Sequence, residues 1–198
     1  LTPVTFGISF NTTFLNQAGA LVHVYTDGSV HLNHGGTEMG QGLNTKVAQI
    51  VAHEFQIDFD AIKITATTTG KVPNTSATAA SSGTDLNGMA AQTAARTIKT
   101  RMTTYLADLH ECAAEDVIFS NGTVRAGKAS LSFAEAVKAC YLGRVSLSST
   151  GYYATPKIHW DSARVRGRPF YYFAYGAAVS EVVIDTLTGE NRILRTDI

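Results

Sequence analysis

Apolar and polar residues alternate over 18–25 and again over 29–32, on either side of Thr26-Asp27-Gly28. Successive strand side chains point to opposite faces, so this pattern predicts a half-buried hairpin closed by an Asp-Gly turn. A helical period takes over at about 45–55, where Leu43, Val47, Ile50, Val51 and Phe55 share one stripe. The same period runs further from Leu86 through Ala90, Ala94, Ile98, Met102 and Leu106 to Leu109, with Thr84 and Asp85 as the expected caps. Ser132-Phe133-Ala134-Glu135 has the form of a capping box and opens a short helix, to about 142, stopped by Gly143. Residues 6–10, 62–67, 146–149, 170–184 and 192–196 read as strands, 117–125 as a hairpin around Asn121-Gly122, and 152–169 as irregular. Mixed elements with frequent hairpins predict an α+β fold, a mixed and largely antiparallel sheet with packed helices.

The chain has 198 residues, enough for a full core as one domain or two small ones. It carries 16 basic and 16 acidic residues, and this balance speaks against nucleic acid or an anionic membrane surface as partner. Cys112 and Cys140 both fall in helix-like runs without other ligands at metal spacing. They are expected to be reduced packing residues of a cytoplasmic protein. The chain opens at Leu1 without a methionine and closes inside a strand-like run, so it is expected to be a segment of a longer polypeptide, all of 1–198 belonging to one domain cut at both ends.

Candidate chemistry concentrates in His34-Gly35-Gly36-Thr37-Glu38-Met39-Gly40-Gln41-Gly42, between a strand-like and a helix-like run. Glycines let the backbone come close to a ligand and take positive φ, and Gln41 adds amide donors and an acceptor. The following Leu43-Asn44 excludes a P-loop, and the glycine spacing excludes a dinucleotide fingerprint. Glu38 is read as a holder of loop N–H groups rather than a base. A second loop, 75–84, consists almost wholly of Ser, Thr, Ala and Gly and feeds a helix N-terminus, where orphan N–H groups favour a negative ligand. The six histidines form no ligand set, and no Gly-x-Ser-x-Gly elbow exists. Phe10, ahead of polar Asn11-Thr12-Thr13, is placed either to pack or to stack a flat substrate. Arg164, Arg166 and Arg168 read as a solvated loop or a subunit contact.

Many segments in one order resemble the molybdenum hydroxylases, the xanthine dehydrogenase and aldehyde oxidase family. They include 6–10, 15–20, 23–28, 35–42, 72–76, 78–81, 85–88, 151–153, 155–156 and 172–176. The resemblance implies a molybdenum–molybdopterin cofactor contacted by Gly40, Gln41 and Gly42 and by Thr78, Ala79, Ala80 and Ser81, with Ala80 near the metal-sulfur centre and no direct metal ligand from the chain. It implies a substrate face made of Phe10, Asn11 and Ala80, with Asn11 where relatives place a threonine. It further implies hydroxylation of purines (hypoxanthine to xanthine to urate) with water as the oxygen source, or of aldehydes on the same scaffold, and a base glutamate beyond Ile198. The second phenylalanine and a substrate-binding arginine are implied before Leu1. Iron-sulfur clusters and FAD are expected elsewhere in a complete, oligomeric enzyme, whose other segments are this chain's partners.

Overall fold

The computed structural model describes residues 1–72 and 74–198; Pro73, inside one segment that carries the resemblance, lies outside them. In chain order the elements are β1 (Thr2–Ile8), β2 (Gln17–Val24), β3 (Val30–His34), α1 (Leu43–Phe55), β4 (Ile62–Ile64), α2 (Gly83–Leu109), β5 (Val117–Ser120), β6 (Thr123–Ala126), β7 (Ala129–Ser132), α3 (Phe133–Leu142), β8 (Ser148–Ala154), β9 (His159–Asp161), β10 (Arg166–Arg168), β11 (Tyr172–Ile184) and β12 (Asn191–Asp197). The fold is α+β, and the strand pairs are antiparallel except β3 with β4.

The chain divides into two units, one made of 1–13 with 156–198 and the other of 14–155. In the larger unit a sheet of order β4-β3-β2-β8 lies against α2, and α1 packs on α2. The sequence explains this packing. Leu43, Val47, Val51 and Phe55 recur every fourth residue of α1 and are all buried. Leu86, Ala90, Ala94, Ile98, Met102 and Leu106 make the same ladder on α2. Each large apolar side chain removed from water contributes about 1.5–3 kcal/mol, and the alanines let the helix lie close to the sheet. A second sheet, β5-β6-β7, and α3 extend the same core through Phe119, Val124, Phe133 and Val137. The Ser132 hydroxyl accepts the Glu135 N–H at 3.3 Å and the Glu135 carboxylate accepts the Ser132 N–H at 2.8 Å, so the expected capping box forms. Cys140 is buried and its thiol is pushed up to about 12 by that burial, which leaves it inert.

In the smaller unit β1, β11 and β12 form one sheet whose side chains are mostly exposed, and β9 pairs with β10.

Several boundaries differ from the sequence reading. β1 begins at Thr2 because it pairs with β11 along its whole length, from Thr2 with Ala178 to Ile8 with Tyr172. It ends at Ile8, before Ser9, where φ is 150°, and so does not reach Phe10. β8 runs on to Ala154 because β2 offers partners from His23 to Gln17. The segment read as irregular contains the β9–β10 hairpin, in which Arg166 faces Asp161 and Arg168 faces His159. β7 follows Gly127 and went unread. Cys112 sits in the turn after α2, not in a helix. The caps of α2 are corrected too: it starts at Gly83 with Ser82 as N-cap, and Thr84 and Asp85 are already helical.

Candidate functional site

The connection from β3 to α1 is built on its own polar groups. A Cβ at Gly35 would fall on the Thr75 side chain, so only glycine lets the two loops approach this closely. His34 is buried, and its Nδ1 accepts the Gly36 N–H at 3.1 Å. Burial holds the imidazole below the usual histidine range, against smaller opposing effects of Asn44 and the Glu38 charge. Gly42 takes φ 75° as the N-cap of α1 and offers no side chain to cap it.

Glu38 supplies that missing cap. Its Oε1 accepts the N–H groups of Gly40 at 2.9 Å and Gly42 at 3.0 Å, and its Oε2 accepts the Asn44 N–H at 2.9 Å. These bonds, led by that from Asn44, hold the exposed carboxyl below its ordinary value. Gln41 is also engaged within the loop. Its Oε1 accepts the Met39 N–H at 2.6 Å, and its Nε2 donates to the Thr37 carbonyl at 2.9 Å. The loop N–H groups at 40, 42 and 44 are therefore already occupied by the protein's own anion, and Gln41 keeps one amide N–H for anything else.

The second loop takes another course. Ala80 and Ser81 both lie in the left-handed region, at φ 55° and 56°. Two such non-glycine residues in succession cost on the order of 1–2 kcal/mol each, strain of the kind that gathers at binding sites. Ser82 turns its hydroxyl back to the Ala79 carbonyl at 3.0 Å, and no side chain caps the helix that follows. The N–H groups of Gly83, Thr84 and Asp85 have no intrahelical acceptor by the geometry of a first turn. Asp85 is half-buried, and burial pushes its carboxyl up.

The two loops meet. The Thr37 N–H donates to Thr78 Oγ1 at 2.9 Å. Met39, Gln41, Leu43 and Lys46 on one side and Thr78, Ala79, Ser81, Gly83 and Thr84 on the other line one hollow of about 360 Å³. Of the residues singled out in the sequence, Gln41, Thr78, Ala79 and Ser81 face this hollow; Gly40, Gly42 and Ala80 sit in the same loops without lining it. Phe10, half-buried, and Asn11, exposed, follow β1 in the smaller unit. Lys46 was missed, as were Met39, Leu43, Gly83 and Thr84. A signal for Lys46 existed: it falls in the opening turn of α1, a place unfavourable to a cation, in a first turn that carries no acid.

The hollow combines an uncapped helix N-terminus, a lysine, three hydroxyl-bearing residues, and the apolar sides of Met39, Leu43 and Ala79. That donor set suits an elongated group with a flat polar body and an anionic end, and a phosphorylated pterin has both. Among the described residues no group of three His, Cys, Asp or Glu could hold a metal ion. Nor is any helix, among those residues, long and apolar enough to cross a membrane.

The chain belongs to the molybdopterin cofactor-binding domain family, which it matches over residues 1–198. It is 50% identical over 196 residues to xanthine dehydrogenase/oxidase of Felis catus, covering 99% of this chain and 13% of that protein. It is 49% identical over 198 residues to xanthine dehydrogenase of Oryza sativa subsp. japonica, covering 100% of this chain and 13% of the relative. The chain thus spans 13% of the length of these curated relatives. Among solved structures, quinoline 2-oxidoreductase from Pseudomonas putida 86 superposes with a TM-score of 0.81 at 22% identity, over 98% of this chain and 25% of that one, a likeness of fold alone.

Proposed function

We propose that this chain is the molybdopterin-binding portion of a xanthine dehydrogenase-type enzyme that oxidises purines, hypoxanthine to xanthine to urate. The carrying observation is the hollow itself, where the Gln41 loop and the Ser81 loop share one cavity at an uncapped helix end. In this reading all of 1–198 serves one cofactor-binding domain. Gln41, held by the backbone of Gly40 and Gly42, gives one wall of the site, Thr78, Ala79 and Ser81 the other, and Lys46 with the first-turn N–H groups of α2 would hold the phosphate end. Ala80, strained within the second loop, would lie near the metal-sulfur centre of a bound cofactor, where a methyl group takes little room from substrate. Phe10 stacks the purine ring, and Asn11 hydrogen-bonds its edge.

The bound cofactor supplies the redox chemistry, hydroxylation of an sp² carbon by water: R–H and H₂O give R–OH, two electrons and two protons. This chain's residues orient and exclude water; the base glutamate belongs to a further part of the enzyme. Iron-sulfur clusters and FAD, expected in other parts of the enzyme, would take the electrons. The setting is a cytoplasmic, oligomeric enzyme.

The test is molybdenum and pterin analysis of the purified full-length protein, with turnover of hypoxanthine set against an aromatic aldehyde. Molybdenum with a preference for hypoxanthine is expected. Aldehyde preference would move the assignment to an aldehyde oxidase, a shift that Asn11 favours because it narrows the ring-binding face. A protein free of metal and pterin would make the chain a scaffold segment.

A further inference from the structure

We propose that Glu38 is a positioning residue for this hollow: its carboxylate occupies the N-terminus of α1 as a built-in anion and thereby fixes the loop that presents Gln41. The role of the hollow rests on the function proposed above; the contacts of Glu38 do not.

The geometry is specific. The three N–H groups that Glu38 accepts, from Gly40, Gly42 and Asn44, bracket Gln41 on both sides at 2.9–3.0 Å. Gly40 and Gly42 have φ of 99° and 75°, which turns successive N–H groups toward one side and makes a small anion nest. A Cβ at either glycine would meet nothing within 4 Å, so the backbone conformation and not crowding calls for glycine there. With the nest filled, the Gln41 amide is free to clasp the Met39 N–H and the Thr37 carbonyl. Thr37 in turn donates to Thr78 of the opposite wall. An unbroken run of hydrogen bonds thus leads from the Glu38 carboxylate, through the backbone around Gln41, to the second loop. Without the carboxylate, three converging N–H groups lose their partner, and Gln41 loses the support for the conformation in which it lines the hollow.

A nest emptied by mutation should accept a small carboxylate from solution, and that supplies the test. Glu38→Ala and Glu38→Gln are made in the full-length protein, and folding is checked by circular dichroism and melting. Expected for Glu38→Ala is a molybdenum and pterin content lower by about 10-fold, the scale of a lost charge-assisted hydrogen bond, with faster amide exchange at Gly40, Gly42 and Asn44. Millimolar acetate, added together with free molybdenum cofactor, should restore both, and acetamide with the same cofactor neither. Glu38→Gln, which keeps one acceptor oxygen, should fall between. Unchanged cofactor content in a folded Glu38→Ala protein would overturn the proposal, as would a loss that acetate leaves unrepaired. If the wild-type protein holds no pterin, the functional reading fails, and amide exchange with its acetate rescue still decides whether Glu38 fixes the loop.

Discussion

At the start of α1 a carboxylate of the chain itself accepts the N–H groups of Gly40, Gly42 and Asn44; at the start of α2 no side chain plays that part, and the Ser82 hydroxyl bonds backwards to Ala79. Both helices follow small-residue loops, and both present a partial positive charge at that end. α1 has no acid in its first turn and borrows one from the loop, whereas α2 has Asp85 in its first turn and leaves Ser81, Gly83 and Thr84 open to the hollow. An N-terminus satisfied from within serves to hold shape. One left unsatisfied, beside a strained turn and a lysine, is in the function proposed above the end that holds a ligand.

The strongest way to break this contrast is to make α2 resemble α1. Ser81→Asp puts a carboxylate at the open end, in a left-handed position that aspartate tolerates better than serine. The helix gains about 0.3–1 kcal/mol from its dipole, while an anionic ligand is repelled by roughly 2–3 kcal/mol at a partly exposed site. Cofactor retention should therefore fall about 100-fold while the melting temperature stays or rises. Melting and metal content measured on the same preparation check the pair of signs. Parallel losses of both would mean that the open end of α2 is structural.

Gln41→Ala sharpens the other side. The Gln41 amide closes the loop between Met39 and Thr37, and its removal frees one backbone donor and one acceptor at the rim of the hollow. Turnover or molybdenum content of the full-length enzyme is expected to drop about 10-fold. Near-normal values would remove Gln41 from the site and leave the second loop to carry it alone.

The sequence located both helix N-termini that follow small-residue loops, but the exact cap of α2 and the conformation of its loop were not legible, for a physical reason. The box of Ser132 and Glu135 and the Asp-Gly turn before β3 are local devices whose partners lie within a few residues, so residue type and spacing reveal them. Glu38 was legible as a holder of loop N–H groups for the same reason. At α2 the capping residues expected by type, Thr84 and Asp85, are not the cap, because the helix starts earlier, at Gly83, with Ser82 before it, and several residues of capping type in a row leave the boundary open. Ala80 and Ser81 could not be seen as left-handed from their identity, since neither favours it. The short strands β7, β9 and β10 were lost for want of enough residues to show a period, and β1 and β8 owe their extent to distant partners β11 and β2. Lys46, though in the first turn on either reading, stood out only once the second loop was seen to come beside it.

The smallest expected effect is also the most discriminating, because the carboxyls at the two helix ends are shifted in opposite directions. Glu38 is held below its ordinary value, chiefly by the Asn44 N–H, so the folded chain favours its charged form. That stabilisation is complete above the ordinary glutamate value and is lost as pH falls through the lower, folded one. Asp85 is pushed up by burial, so the folded chain penalises its charged form. The penalty is complete above the raised value and disappears as pH falls through it. His34 interacts with the Glu38 charge, but burial holds the imidazole below the usual histidine range and keeps it neutral at neutral pH. Glu38→Gln should then lower stability at neutral pH and cease to matter in acid. Asp85→Asn should raise it slightly at neutral pH and likewise cease to matter in acid. Carboxyl NMR titration should find the Glu38 midpoint below, and the Asp85 midpoint above, that of the same residue in a short peptide. Two midpoints displaced in the same direction would mean that the two helix ends share one electrostatic environment, and the contrast between a self-filled and an open terminus would fall.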